Sequence, residues 1–288
     1  MSSRADRSPA AGGTRRIWLC ADDYGISASV STAIRDLVVR GRLNATSAMV
    51  VAPDLYRSEA ISLALLNTTG QRVAIGLHVT LTGPFRPLVA EFRPLQAGAF
   101  LPLARAARHA FTGRYDRNLL IAEISSQFDR FLQFFGRGPD FIDGHHHIHL
   151  FPQIRDAVLE VARLMAPQAW VRQCARALPL RARLADRKGL FLDFLSRRFR
   201  RRAAALGLRM NPAFAGTYEF TEGANFAALF PRFLEGLPDG GLVMCHPGFV
   251  GPQLRELDSL TTLREREYAY LASDAFPQML AEHGVVLA

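Results

Sequence analysis

Short apolar runs that break off in ionisable residues limit this chain to one broad architecture. Ile17-Trp18-Leu19-Cys20-Ala21 breaks into Asp22-Asp23-Tyr24-Gly25, and Gly241-Leu242-Val243-Met244-Cys245 breaks into His246-Pro247-Gly248. Continuous apolar runs of this length read as strands buried on both faces. Between them the period changes. Val30, Ala33, Ile34, Leu37 and Val38 recur at helical spacing until Gly41, and Leu119, Leu120, Ile124, Phe128, Phe131, Leu132 and Phe135 do so over 116–135. Further strands are expected at 45–51, 73–79, 141–142, 170–172, 214–217 and 285–287. Further helices are expected at about 56–66, 152–165 and 224–235, with one or two in 262–283. Residues 83–114, rich in Pro, Gly, Phe and Arg, read as a long loop with a short helix. Strand and helix thus alternate about seven or eight times, the pattern of a parallel sheet. At 288 residues the expected fold is a single-domain α/β structure, a TIM-like (β/α) barrel over 16–288. An open doubly wound sheet is second. Residues 1–15 are rich in Ser, Ala, Gly and Arg, lack the apolar centre of a signal peptide, and read as a disordered tail.

One turn carries half of the chain's eight histidines: Asp143-Gly144-His145-His146-His147-Ile148-His149-Leu150. Phe141-Ile142 precedes it, and Pro152 follows at a position suited to the first turn of a helix. A turn between strand and helix is where α/β proteins keep their chemistry. Neutral imidazole is the commonest metal ligand. In an extended run alternate side chains share a face, so His145, His147 and His149 would point the same way. A polar turn with one satisfied histidine and three bystanders is the plain alternative, and four in five positions argue against it. In the third strand Val73, Ile75, Leu77 and Val79 alternate with Ala74, Gly76, His78 and Thr80. The first set would meet helices and the second would line the barrel, leaving His78 at the strand's C-terminal end.

Composition excludes several classes. The chain is 49% hydrophobic and 21% charged, as soluble globular proteins are. No apolar run approaches the ~20 residues that span a bilayer, and a cytoplasmic protein is expected. Cys20, Cys174 and Cys245 are far apart, lie in or beside apolar runs, and read as reduced, buried thiols. Net charge is +9, and Arg172 to Arg202, with eleven Lys/Arg against Asp186 and Asp193, is itself net +9. The rest of the chain is therefore balanced. This segment reads first as a solvated helix face, because Arg198 and Arg201 project near the apolar side formed by Leu190, Phe191, Phe194 and Leu195. Weak contact of 176–202 with an anionic membrane surface is the functional alternative. A nucleic-acid partner is not expected, since it leaves the histidines unexplained.

Four strands end in ionisable groups: Asp22-Asp23, His78, the 145–149 cluster and His246. In a barrel all C-terminal strand ends meet on one rim. One aspartate and two histidines make three ligands for a divalent ion, and a second carboxylate can take a proton from water. Asp22 and Asp23 diverge on a regular strand, so one can bind metal while the other serves as base.

Ala21-Asp22-Asp23-Tyr24-Gly25, Gly76-Leu77-His78-Val79-Thr80-Leu81-Thr82-Gly83, Asp143-Gly144-His145-His146-His147-Ile148-His149 and Met244-Cys245-His246-Pro247-Gly248 together resemble the YdjC-like carbohydrate deacetylases. That family includes chitooligosaccharide deacetylases and HpnK-type proteins associated with hopanoid lipid synthesis. The resemblance runs over about residues 17–287. It implies a distorted (β/α) barrel and metal-dependent removal of acetyl from an N-acetylated sugar. By motif match, Asp23, His78 and His145 correspond to metal ligands, Asp22 to the base, and His246 to the acid or oxyanion stabiliser. Magnesium is the metal the family implies; zinc also suits a carboxylate with two imidazoles. Asp143 is expected to orient a ligand histidine, with His147, His149 and Arg172 behind the ligands or against substrate. Tyr24 stands where Phe is more usual. The basic stretch lies outside the shared motifs, and a lipid-linked or phosphate-bearing amino sugar would account for it. The expected partners are an N-acetylated sugar and, less directly, a second copy of the chain. The alternatives are a non-catalytic sugar- or glycolipid-binding protein on the same fold, and a metal-dependent phosphoesterase, which would want more carboxylates.

Overall fold

Buried parallel strands set the architecture. In the computed structural model, which describes residues 13–68, 72–178 and 187–288, the central strand is β1 (Arg15–Tyr24). It is followed by β2 (Ala45–Ala48) and β3 (Ala74–Val79), both fully buried. A short antiparallel pair, β4 (Leu95–Gln96) and β5 (Ala99–Phe100), precedes β6 (Phe141–Gly144), β7 (Trp170–Val171), β8 (Phe214–Ala215), β9 (Leu242–Cys245) and β10 (Val285–Leu287). The main sheet runs β7-β6-β3-β2-β1-β9-β8, every pairing parallel, and β10 joins the start of β1. Its two ends approach each other through a parallel bridge between Val171 and Met210 and a hydrogen bond from Phe214 N to Ala175 O of 3.0 Å. The result is a distorted (β/α) barrel. A glycine lets the interior fill. A Cβ on Gly76 would lie 2.4 Å from the ring of Phe141, which stacks on Trp170 at 4.3 Å.

Helices cover the outside: α1 (Ala28–Val39), α2 (Arg57–Leu65), α3 (Leu103–Phe111), α4 (Arg117–Phe135), α5 (Ile154–Met165), α6 (Arg187–Ala205), α7 (Phe226–Phe233), α8 (Pro252–Leu257), α9 (Thr262–Ala272) and α10 (Ala275–Glu282). Their ends follow capping chemistry. Ser27 accepts from Val30 N to start α1. Asp116 accepts from Asn118 N and Leu119 N to start α4, and Gly136, at φ 67°, stops it.

Several expectations shift. The strand expected over 45–51 ends at Ala48, and the one over 214–217 ends at Ala215. The loop over 83–114 contains α3 and the β4–β5 pair, and 262–283 holds two helices; α8 was not anticipated. Pro152 does not open a helix; α5 begins at Ile154, after Gln153 at φ 61°. Of the expected N-terminal tail, residues 1–12 lie outside the described residues, as do 179–186 of the basic segment.

Candidate active site

The rim formed by the C-terminal strand ends collects the ionisable groups. Asp22 and Asp23 come from the end of β1, His78 from β3, Asp143 from β6, Arg172 from just after β7, and His246 from just after β9. Asp22, Asp23, His78, His145, His147 and His246 line one cavity of about 260 Å³.

Two neighbouring aspartates reach it because β1 is not regular. Its register against β2 shifts between Ala21 and Tyr24, and Asp23 has φ 70°. An irregularity of this kind re-aims a side chain that would otherwise cross to the other face. The histidine turn is likewise not extended. Residues 145–150 form a 3-10 segment in which His146 and His147 take left-handed backbone, φ 56° and 55°. The alternation expected of His145, His147 and His149 is therefore absent. His145 enters the cavity, and His147 lines it edge-on to Phe214. His149 turns away: its Nε2 donates to the Arg172 carbonyl at 3.0 Å, and its ring packs against Phe199. Burial pushes His149 down to about 4.

Asp23, His78 and His145 converge. Asp23 Oδ1 is 2.9 Å from His145 Nδ1 and 3.3 Å from His78 Nε2. One ligand atom from each residue lies within 4.8 Å of the others. The other nitrogen of His78 is held by Asp143 Oδ1 at 2.6 Å, the carboxylate–histidine arrangement that orients metal ligands. One carboxylate and two imidazoles, all buried, fit a divalent ion. Burial alone would lower His78, but Asp143, Asp23 and Asp22 lift it to about 10. A cation held there would compete with that proton. Burial would raise Asp23, yet His145 and Arg264 hold it well below the usual carboxylate range.

Asp22 sits beside this group under different control. Arg172, fully buried, donates to Asp22 Oδ2 at 2.7 Å and Oδ1 at 2.6 Å, and lies 2.5 Å from Asp143 Oδ2. Burial would raise Asp22, but Arg172 brings it below the usual range, so it is ionised. Cys20, Asp22 and Asp143 also cluster as metal ligands do. There the Arg172 guanidinium already supplies the positive charge, 3.0 Å from Cys20 Sγ. Opposite, His246 Nδ1 is buried with no hydrogen-bond partner among the described residues, and burial pushes the imidazole down to about 4.

Two participants escaped sequence reasoning. Arg264 on α9 is fully buried, donates to Asp23 Oδ2 at 2.6 Å and Asp258 Oδ2 at 2.5 Å, and lines the cavity. Glu267, one turn on, accepts from Tyr218 Oη at 2.6 Å and from His246 N at 2.5 Å. The only available signal was their spacing, which puts both on the side of α9 that buries Leu263 and Leu271.

A parallel barrel with a buried Asp/His/His group on its C-terminal rim, and an ionised carboxylate beside it, defines a site of the metallohydrolase type. The chain belongs to the YdjC-like protein family, whose profile matches residues 16–282. A Yersinia pestis protein named chitooligosaccharide deacetylase is 30% identical over 272 residues, covering 92% of this chain and 93% of that protein. Its counterpart in Escherichia fergusonii, of the same name, is 29% identical over 260 residues, 84% of this chain and 89% of that one. Among solved structures, an Enterococcus faecalis protein provisionally described as cleaving cellobiose phosphate superposes with a TM-score of 0.75 at 22% identity, covering 96% of this chain and 97% of that one. The Bc1960 peptidoglycan N-acetylglucosamine deacetylase superposes at 0.50 and 10% identity, covering 95% and 85%. At these identities the two structures speak for the barrel alone.

Proposed function

We propose that this protein is a metal-dependent hydrolase that removes acetyl from an N-acetylated amino sugar. The observation that carries the reading is Asp23 Oδ1 set between His78 and His145, with ionised Asp22 on the same cavity and His246, whose Nδ1 has no hydrogen-bond partner among the described residues. The names of the Yersinia and Escherichia relatives supply the substrate class. Asp23, His78 and His145 are the residues to hold the ion. When bound, a divalent ion supplies Lewis acidity, which acidifies water and polarises a carbonyl. Magnesium is the first choice by family resemblance and zinc the second by donor set.

In this reading Asp22 is the base. Arg172 keeps it charged and fixes both of its oxygens, so it meets water in one orientation. It takes a proton as the water oxygen bonds to the amide carbon. The C–N bond then breaks, and the departing nitrogen must gain a proton. His246 delivers it. Burial holds His246 neutral at rest, so the proton it passes on is the one Asp22 removed from water. Asp143 keeps His78 turned toward Asp23. His147 is a substrate contact at the cavity wall, while His149 and Arg172 act from behind it. A cytoplasmic location suits the three buried free cysteines.

The test is acetate release from a panel of N-acetylamino sugars, comprising free chitooligosaccharides, phosphosugars and glycolipids. Each is run with metal-free protein and again with magnesium or zinc. Metal-dependent acetate from one member is the expected outcome. Silence across the panel by folded, metal-loaded protein sinks the reading in favour of a sugar-binding protein.

A further inference from the structure

Helix α6 carries more apolar surface than the core uses. Leu192, Leu195, Phe199 and Ala203 are buried and pack it behind the histidine turn, where the Phe199 ring lies 5.5 Å from that of His149. Phe191 and Phe194, 46% and 53% exposed, lie on the outer side. Spacings of three, four and three residues align Phe191, Phe194, Arg198 and Arg201 in one outward stripe. The Arg198 guanidinium lies over the Phe194 ring at 5.4 Å. Arg197 and Arg200 are exposed beside them. Within Arg197–Arg202, among the described residues, Arg202 alone is ion-paired, with Asp156. The stripe continues onto α3. Phe111, 45% exposed, has its ring 6.1 Å from Phe191. At the other end of α3, about 12 Å away by helix rise, Leu103 is exposed and lines the active cavity.

We propose that α3 and α6 dock this protein on an anionic phospholipid surface, with the mouth of the active cavity turned toward the lipid. An interfacial helix needs aromatic or aliphatic side chains to enter the headgroup layer and arginines to meet anionic lipid. Arginine stems lie along apolar surface while their heads stay in water. A second copy of the chain is a poor occupant, because a two-fold contact would bring Arg198 and Arg201 against their own equivalents. A nucleic-acid duplex would use the arginines and leave Phe111, Phe191 and Phe194 in water. Docking stands apart from the chemistry proposed above; only its purpose, access to an N-acetylamino sugar carried on a lipid, rests on that reading.

Flotation of the full chain with vesicles containing phosphatidylglycerol, against pure phosphatidylcholine, tests the proposal. Two double variants accompany it, F191S/F194S and R198Q/R201Q. Both alter exposed side chains, and both should release acetate from a soluble N-acetyl sugar as the parent does. The parent should float with the anionic vesicles only, less so at high salt, and each variant should lose about tenfold or more of that partition. Failure of the parent to float overturns docking. So does flotation that F191S/F194S leaves unchanged, which would reduce the stripe to a polycation that duplex DNA would capture equally well. If no acetate is released but flotation behaves as stated, the chemistry fails and the docking survives.

Discussion

Asp22 and Asp23 are adjacent in sequence, yet each is tied to its own fully buried arginine, and the two ties differ. Arg172 takes both oxygens of Asp22. Arg264 takes only Oδ2 of Asp23 and leaves Oδ1 to the two histidines. The Asp22 half is held by strand ends: Ser47 of β2, Asp143 of β6 and Arg172 after β7. The Asp23 half leans on a helix, since Arg264 comes from α9, whose Glu267 one turn on holds the His246 backbone. A bidentate clamp suits a carboxylate that must stay charged and fixed. A single hydrogen bond suits one that must keep an oxygen for a ligand role. The difference in anchoring thus assigns the roles that identical side chains cannot reveal.

The sharpest way to break this division is to neutralise each aspartate in turn. Asp23→Asn should reduce acetate release to background and leave the purified protein without stoichiometric metal. Asp22→Asn should retain metal and lower kcat by about 10²–10⁴-fold, the range for a general base. Metal content after dialysis, measured beside turnover, separates the two. Loss of metal in Asp22→Asn would merge the roles.

The arginines come next. Removing one partner of a buried ion pair costs roughly 3–5 kcal/mol, because the other charge is left uncompensated. Arg172→Met removes the one cation shared by two buried carboxylates, leaving Asp22 with no charged partner and Asp143 with His78 alone, and should fall at the upper end in urea unfolding. Arg264→Met should fall lower, because Asp23 keeps His145 and His78, while its metal affinity weakens. Equal losses would say that strand and helix anchor the two aspartates alike.

Much of this contrast was legible in the chain, and the illegible part has a cause. Strands ending in Asp22-Asp23, His78, Asp143 and His246 were visible as apolar runs broken by polar residues, and the parallel barrel brings those ends together whatever the loops do. The sense of each side chain was not visible. The register shift in β1 and the left-handed backbone at Asp23, His146 and His147 rest on non-glycine residues, and Asp and His carry only a weak signal for φ above zero. Tertiary contacts override local preference there. Arg264 and Glu267 sit in Thr-Leu-Arg-Glu-Arg-Glu-Tyr, where charge usually means solvent. Only their acceptors and donors, among them Asp23, Tyr218 and His246 far away in sequence, make their burial tolerable. Phe191 and Phe194 mislead in the opposite direction. They suggest a core face, but α6 buries Leu192, Leu195 and Phe199 instead.

The smallest effect distinguishes the halves by pH. In the Asp22 half the clamp keeps the carboxylate charged through the working range. In the helix half, burial lifts Glu267 from the ordinary glutamate value of 4.5 to about 7, against the opposing hydrogen bonds from Tyr218 and His246. A carboxyl that binds its proton more tightly when folded stabilises the fold fully below its unfolded pKa. That contribution falls as pH rises from 4.5 and is gone above about 7. The loss is on the order of 3 kcal/mol, taken from the size of the shift. Glu267→Gln is uncharged at every pH; its amide oxygen can still accept from His246 N, while its NH2 donates to Tyr218 Oη in place of the bond Glu267 accepts there. Its unfolding free energy should be flatter than the parent's between pH 5 and 7, by about that amount. If parent and variant run parallel across that window, Glu267 does not titrate there. The helix half would then be as insensitive to pH as the strand half, and the contrast between the aspartates would rest on hydrogen-bond geometry alone.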